Sequence, residues 1–417
     1  MNAKFFFGFS ALLFLVINSG CGKKSPEAKT DFAVLEIASP AGPGSGEPNL
    51  FASAGGRIFL SWIESVGEGG HALRFAVREE PGWSPPQTIA EGNNWFVNWA
   101  DFPSLTAMAN GSLAAHWLAK SGEGTYAYDV RIAQSSDGGK TWSQPLIPHR
   151  DATETEHGFV SMLPWTNDRL LAVWLDGRNF ANAADSHGEH GLSSNEMTLR
   201  SAVIDPNGQL LDEALLDART CECCQTSAAL TESGAVVVYR DRSLEEIRDI
   251  SLVRYESGRW SEPMTVYADG WKHQGCPVNG PAVAADGNRL AVAWFTMAND
   301  TPRVKVAFSK DGGATFGQPI EAGGNDPIGR VDVVMLPENA ALVSWMEQIG
   351  DNAEIRIRRV HADGRRGPAI PIAESSSGKA SGFPQMARND HEIVFVWTQP
   401  GNPSTVRTAV ALLARHE

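Results

Sequence analysis

Seven times along the chain an apolar run ends in a large aromatic residue and gives way to a polar loop. The runs cover 58–62, 113–117, 170–174, 236–239, 290–294, 342–345 and 393–397, and they end at Trp62, Trp117, Trp174, Tyr239, Trp294, Trp345 and Trp397. Successive aromatics lie 55, 57, 65, 55, 51 and 52 residues apart, the long interval carrying an insertion after Trp174. Each run has the same surroundings. A strand-like segment precedes it across a Gly, Asn or Asp turn such as Ala285-Asp286-Gly287-Asn288, a third follows (303–308), then a short fourth (318–320). Four short antiparallel strands per repeat make a propeller blade, and because one blade cannot bury both faces, neighbours must stack. The expectation is an all-β protein, a seven-bladed β-propeller with each aromatic packed between blades. The seventh copy stops after its third strand (407–413), and an extra strand-like run (32–38) precedes the first. Together they predict a blade completed by both termini, which removes exposed sheet edges, and one domain over 31–417.

Composition agrees. Gly is 41, Pro 24 and Trp 13, turn-rich and aromatic material that suits strands better than helices. Asp plus Glu is 49 against 35 Lys plus Arg, a formal net charge of −14. That balance excludes nucleic acid as a partner, because phosphate binding needs clustered positive charge.

The amino terminus reads as an address. Lys4 precedes an apolar run over 5–17, too short to span a bilayer as a helix but suited to a signal-peptide core. Asn18-Ser19-Gly20-Cys21 then resembles the bacterial lipoprotein cleavage signal. The resemblance implies a signal peptide at 1–20, a lipid on Cys21, a polar tether at 21–30, and a chain exported to the periplasmic or cell-surface side of a bacterial membrane. Membrane contact would be through the lipid alone. Ordinary secretion with cleavage nearby is the alternative. Export implies an oxidising compartment, and the remaining Cys221, Cys223, Cys224 and Cys276 permit two disulfides.

Two segments, Ser135-Ser136-Asp137-Gly138-Gly139-Lys140-Thr141-Trp142 and Ser309-Lys310-Asp311-Gly312-Gly313-Ala314-Thr315-Phe316, are copies of one motif, with weaker echoes at Trp83-Ser84 and Trp260-Ser261. They resemble the Asp-box of the sialidase (neuraminidase, BNR-repeat) superfamily. The physical content is a tight turn in which Asp caps backbone N–H groups and Gly takes positive φ. The resemblance implies a propeller, with six blades as the alternative to seven, and it places these turns opposite the active site. It also implies an exo-acting glycoside hydrolase of the sialidase type, with a three-arginine clamp, a Tyr nucleophile with a Glu partner and an Asp acid/base. The family's early Arg-Ile-Pro segment is absent from this chain.

Loops between second and third strands share a face with the inter-blade links, and on that face blades three to five collect the unusual residues. Arg240, Arg242 and Arg248 offer planar forks for a carboxylate, with Arg178 and Arg330 as further members. Asp176 and Asp241 are the candidate acids, and Tyr239 beside Glu246 is the candidate activated phenol. Trp95, Trp99 and His157 would meet a sugar, or pack beneath the loops. Cys221, Cys223, Cys224 and Cys276 read as disulfides, with Cys276 bridging to one of the cluster. The alternative is a copper or zinc site drawing also on His187, His190, Met197 or His273. Two functions follow: a lipid-anchored glycan hydrolase or glycan-binding propeller for a saccharide or small acidic ligand, needing no cofactor, or a non-enzymatic binding or assembly lipoprotein that holds a metal at a Cys/His rim.

Overall fold

The computed structural model describes Met1 and residues 32–166, 168–182 and 196–413. Cys21, His187 and His190, together with the rest of the expected signal peptide and tether beyond Met1, lie outside the described residues. Seven antiparallel sheets follow one another around a ring. The second strands, Ile58–Val66, Leu113–Lys120, Leu170–Asp176, Gly234–Arg240, Arg289–Thr296, Ala340–Ile349 and Glu392–Gln399, carry the seven aromatics. The blade count is seven, not six. Among the described residues no helix is long and apolar enough to cross a membrane.

Seven apolar clusters fill the seven inter-blade spaces, and each repeat aromatic packs onto the preceding blade. One cluster joins Leu60 and Trp62 of blade one to Val394 and Val410 of blade seven. The last blade is completed as the termini suggested: Val34–Ile37 pairs antiparallel with residues Thr408 to Ala411 as its outermost strand. Blade two departs from four strands. Beyond Tyr128–Ser135 only an isolated bridge, Ile132 to Leu146, takes the fourth position. Pro145 and Pro148 flank it, and proline cannot donate to a ladder.

The turn between third and fourth strands is built alike in blades two and five. Asp137 accepts from Thr141 N–H at 3.0 Å and from its hydroxyl at 2.7 Å, while Ser135 Oγ accepts from Gly139 N–H at 2.9 Å. Asp311, Thr315, Ser309 and Gly313 repeat the pattern. Gly139 sits at φ +92, and a Cβ there would lie 2.3 Å from the Phe75 ring.

A second regularity bears on function. Three tryptophans donate their indole N–H to an acid two residues on: Trp62 to Glu64, Trp174 to Asp176 and Trp345 to Glu347. Six of the seven aromatics also face a basic residue on the third strand, as Trp174 faces Arg200. In blade four Tyr239 faces Ser251 instead. Asp176 is therefore first a repeat residue that satisfies a buried indole.

Candidate functional site

The link face separates into two polar regions. Over blades four and five lie the arginines. Arg240 is 1% exposed, and each of its three guanidinium nitrogens meets a backbone carbonyl: Nε and Nη2 reach Asn279 O (2.9 and 2.7 Å), Nη2 reaches Phe295 O (2.7 Å) and Nη1 reaches Arg248 O (2.5 Å). Trp271 covers its flat side at 4.7 Å. Arg248 donates to Glu222 (3.1 Å), Glu246 (2.8 Å) and His273 O (3.3 Å). Arg242 grips Glu246 at 2.8 Å and also contacts Glu222. Burial opposes ionisation of Glu246, but Arg242 and Arg248 hold its carboxyl below the usual range.

Arg330 backs onto the same Asn279, whose Oδ1 accepts its backbone N–H at 2.7 Å, but its guanidinium turns to other partners. It donates to the carbonyls of Gly378, Gly382 and Ser377 and lies over Trp99 at 4.8 Å, with its pKa pushed down to about 10 by burial. Trp99 stacks in turn on Phe383 at 5.7 Å. The five guanidinium groups do not share one partner: Arg240 and Arg330 tie links together through carbonyls, Arg242 and Arg248 hold Glu222 and Glu246, and Arg178 holds Asp176. Trp99 and Trp95 serve packing: Trp95 stacks on Trp117 at 5.7 Å, between blades one and two.

Tyr239 does not meet Glu246. Its hydroxyl donates to Asp217 Oδ2 at 2.5 Å, and burial with that carboxylate raises its pKa far above normal. Asp241 accepts from Arg242 N–H (2.6 Å) and Ser251 Oγ (3.1 Å), and burial raises its carboxyl. Both belong to the wall of blade four.

The cysteines form one disulfide rather than two. Cys223 bridges to Cys276, tying the link between blades three and four to the link between four and five. Cys221 and Cys224 remain thiols. Burial opposes a Cys224 thiolate, but Cys221 and Arg240 favour it and bring its pKa down to about 7, while burial pushes Cys221 up. His273 lies against Trp271, outside the sulfur cluster. Met197 is buried in the core between blades three and four.

Over blades two and three the structure assembles a group that sequence reasoning missed. Asp101 comes from the link between blades one and two, Tyr128 opens the third strand of blade two, and Glu156 ends the next link. Tyr128 Oη lies 2.8 Å from Glu156 Oε1 and 3.1 Å from Asp101 Oδ2. One phenol proton serves one of these contacts, so the other needs a proton from an acid. Burial supplies the reason: it raises Asp101 to about 8 and Glu156 to about 7. Asp101 Oδ1 also accepts from Phe159 N–H at 2.7 Å. Only glycine fits at 158, where a Cβ would lie 2.0 Å from Asp101 Oδ2. Tyr128 is buried beneath Phe96, stacked at 4.0 Å, with exposed Tyr126 edge-on to that ring. Glu156 itself is half-buried, and the charge of Glu222 helps keep it protonated. The signal available in the sequence was position: Asp101 and Glu156 sit in inter-blade links, and Glu156 directly precedes His157.

Beside this group His157 and His149 stack with ring centroids 3.7 Å apart. His149 Nδ1 and His157 Nε2 both lie 3.3 Å from Asp151 Oδ2, Asp176 Oδ1 is 3.8 Å from His157 Nε2, and Asp129 Oδ1 is 3.7 Å from His149 Nε2. Burial opposes charging of His157, but Asp151 and Asp176 raise its pKa. Arg178 holds buried Asp176 with two bonds of 2.6 Å and itself faces a polar recess of about 220 Å3 walled also by Trp174, Arg200 and Glu213. Arg200 Nε has no hydrogen-bond partner.

No family model matches the chain, and no curated protein does. Among solved structures, a protein of unknown function from Dyadobacter fermentans is 15% identical at a TM-score of 0.51, over 92% of this chain and 98% of that one. The α-L-arabinofuranosidase Arb93A of Fusarium graminearum is 13% identical at a TM-score of 0.48, over 92% and 98%. The NanB sialidase of Streptococcus pneumoniae, as its K499G mutant, is 9% identical at a TM-score of 0.46, over 91% and 94%. These likenesses are of fold, and function must be argued from the site.

Proposed function

We propose that the protein is a glycan-active propeller that binds or hydrolyses a saccharide on the link face over blades two and three, with Glu156 as the proton-bearing acid. The observation behind this reading is Glu156 itself: half-buried, protonated to about pH 7, and hydrogen-bonded to Tyr128 beside Asp101. Protonating a glycosidic oxygen needs a carboxyl of that kind. Exposed Tyr126 offers a ring face to a sugar. The Asp-box resemblance speaks to the fold and not to the chemistry, and Tyr128, 1% exposed with its phenol pKa raised by burial and by Asp101, orients Glu156 and does not fill the nucleophile role that resemblance implies. The saturated arginines speak against its carboxylate clamp, so a saccharide in general has more support than sialic acid. Export and lipidation at Cys21 belong to the same proposal.

A metal-holding lipoprotein is the second reading. The stacked His149 and His157 with Asp151, Asp129 and Asp176 offer the nitrogen and oxygen donors zinc or copper takes. The disulfide removes Cys223 and Cys276 from a thiolate set. One experiment separates the two. Purified protein is assayed on a panel of fluorogenic glycosides and polysaccharides while its metal content is measured. The first reading expects turnover that falls about 100-fold or more in Glu156→Gln with the melting temperature no lower than the parent's. No turnover or saccharide binding, together with stoichiometric zinc or copper, would overturn it in favour of the second.

A further inference from the structure

Four sulfur atoms gather where the two links of blade four meet. The Cys223–Cys276 bridge reaches the surface, since Cys276 is exposed. Beneath it the free Cys221 and Cys224 are each 1% exposed. Cys221 Sγ lies 3.4 Å from Cys224 Sγ and 4.0 Å from Cys223 Sγ. A continuous line of sulfur contacts thus runs from the surface disulfide to the buried pair. The inner end is built to carry negative charge. Cys224 Sγ accepts the Cys221 S–H and, at 3.4 Å, the Asn279 N–H, with the buried guanidinium groups of Arg240 and Arg248 nearby. Two inert core cysteines would need neither a backbone donor nor cationic neighbours.

We propose that these four cysteines form a thiol–disulfide exchange site in which the buried Cys221/Cys224 pair passes two electrons to the exposed Cys223–Cys276 bridge, and from there to a disulfide on a partner molecule. In the first step Cys224 thiolate takes the Cys221 proton as Cys221 Sγ attacks Cys223 Sγ. The Cys221–Cys223 bond forms, the Cys223–Cys276 bond breaks, and Cys276 leaves as thiolate. In the second step Cys224 Sγ attacks Cys221 Sγ, the Cys221–Cys224 bond forms, and Cys223 leaves with the proton Cys224 gives up. One thiolate and one thiol are present before and after, so charge and protons balance. The inner pair is oxidised by two electrons and the outer pair reduced by two. The outer dithiol then attacks a partner disulfide, releasing two partner thiols and restoring the Cys223–Cys276 bridge. A partner dithiol resets the oxidised protein by the same steps in reverse.

The test uses the full mature chain and a chromogenic aromatic disulfide as the probe. The folded protein is expected to release about two equivalents of coloured thiolate, and peptide mapping is then expected to find a new Cys221–Cys224 bridge. Cys221→Ser keeps the surface disulfide and breaks the line of sulfurs, so release is expected to slow by about tenfold or more with the fold intact. The Cys223→Ser/Cys276→Ser double variant keeps the buried pair without its outlet and is expected to slow similarly. Should that double variant not fold, Cys221→Ser carries the test. Three outcomes would overturn the proposal: thiols that react only after unfolding, variants that react as fast as the parent, or both thiols found ligating a metal ion in the purified protein. None of these bears on the glycan assay, which reads a different part of the face.

Discussion

Two regions share one face of this ring, and they treat their charges oppositely. Over blades four and five, each guanidinium of Arg240, Arg242 and Arg248 has its partners in place, either carbonyls of neighbouring links or Glu222 and Glu246. Over blades two and three the ionisable groups outnumber what could satisfy them. Asp101 and Glu156 share one phenol, two stacked histidines share Asp151 Oδ2, and Arg200 Nε makes no hydrogen bond, meeting only Asp176 at 4.0 Å. A saturated cluster holds links together. An unsaturated one keeps protons and lone pairs at pH values where chemistry can use them. By that measure the arginine wall is scaffold, and the acid–phenol group is the site we propose.

The comparison is broken most directly at Arg240. If the arginine wall is scaffold, Arg240→Ala leaves the Asn279, Phe295 and Arg248 carbonyls unpaired in the interior. Such losses typically cost about 3–5 kcal/mol. Denaturant unfolding should show a drop of that order. A variant that unfolds like the parent but fails to bind saccharide would return Arg240 to the site.

Asp101 probes the other region through pH. Its native pKa is raised to about 8 by burial, against about 3.9 for an unfolded aspartate. Between those values the native state holds a proton that the unfolded state has released. Stability from this group is therefore greatest below about pH 4 and declines as pH climbs toward 8. Asp101→Asn keeps an oxygen for Phe159 N–H and an amide donor for Tyr128, and it cannot titrate. Relative to the parent it should gain stability between pH 5 and pH 9, by up to about 4 kcal/mol. Parallel melting curves across that range would mean Asp101 is ionised in the fold, and the shared-proton account of Glu156 would fail with it.

What the sequence disclosed follows from what repeats. The aromatic at the end of each second strand, the Ser-x-Asp-x-Gly-x-Thr turns and the split last blade all recur or close a count, and each is a local pattern set by strand alternation or turn chemistry. The site groups do not recur. Asp101, Tyr128 and Glu156 come from three separate segments, and only the approach of Asp101 over Gly158 joins them. The arginine clamp seemed legible because Arg240, Arg242 and Arg248 are close in the chain. Arg240 ends its strand with its side chain in the interior, and the loop that starts there leaves Arg242 at the rim. Asp176 misled for a related reason: its spacing from Trp174 belongs to the repeat, as with Glu64 and Glu347.

Arg242 sharpens the contrast inside the arginine wall and gives the smallest expected effect. Its side chain is 21% exposed, and its partners Glu222 and Glu246 are both also held by Arg248. Partly exposed ion pairs contribute about 0–1 kcal/mol, less in salt. Arg242→Ala should therefore destabilise by no more than about 1 kcal/mol, with the difference shrinking as salt is added. The more telling readout lies across the face. Glu222 raises the pKa of Glu156, and loss of Arg242 leaves the Glu222 charge less compensated. The pH at which Glu156 gives up its proton should move upward in Arg242→Ala, seen in the alkaline limb of any saccharide activity or in the carboxyl resonance of Glu156. A shift in the opposite direction would show that Glu222 does not couple the two regions.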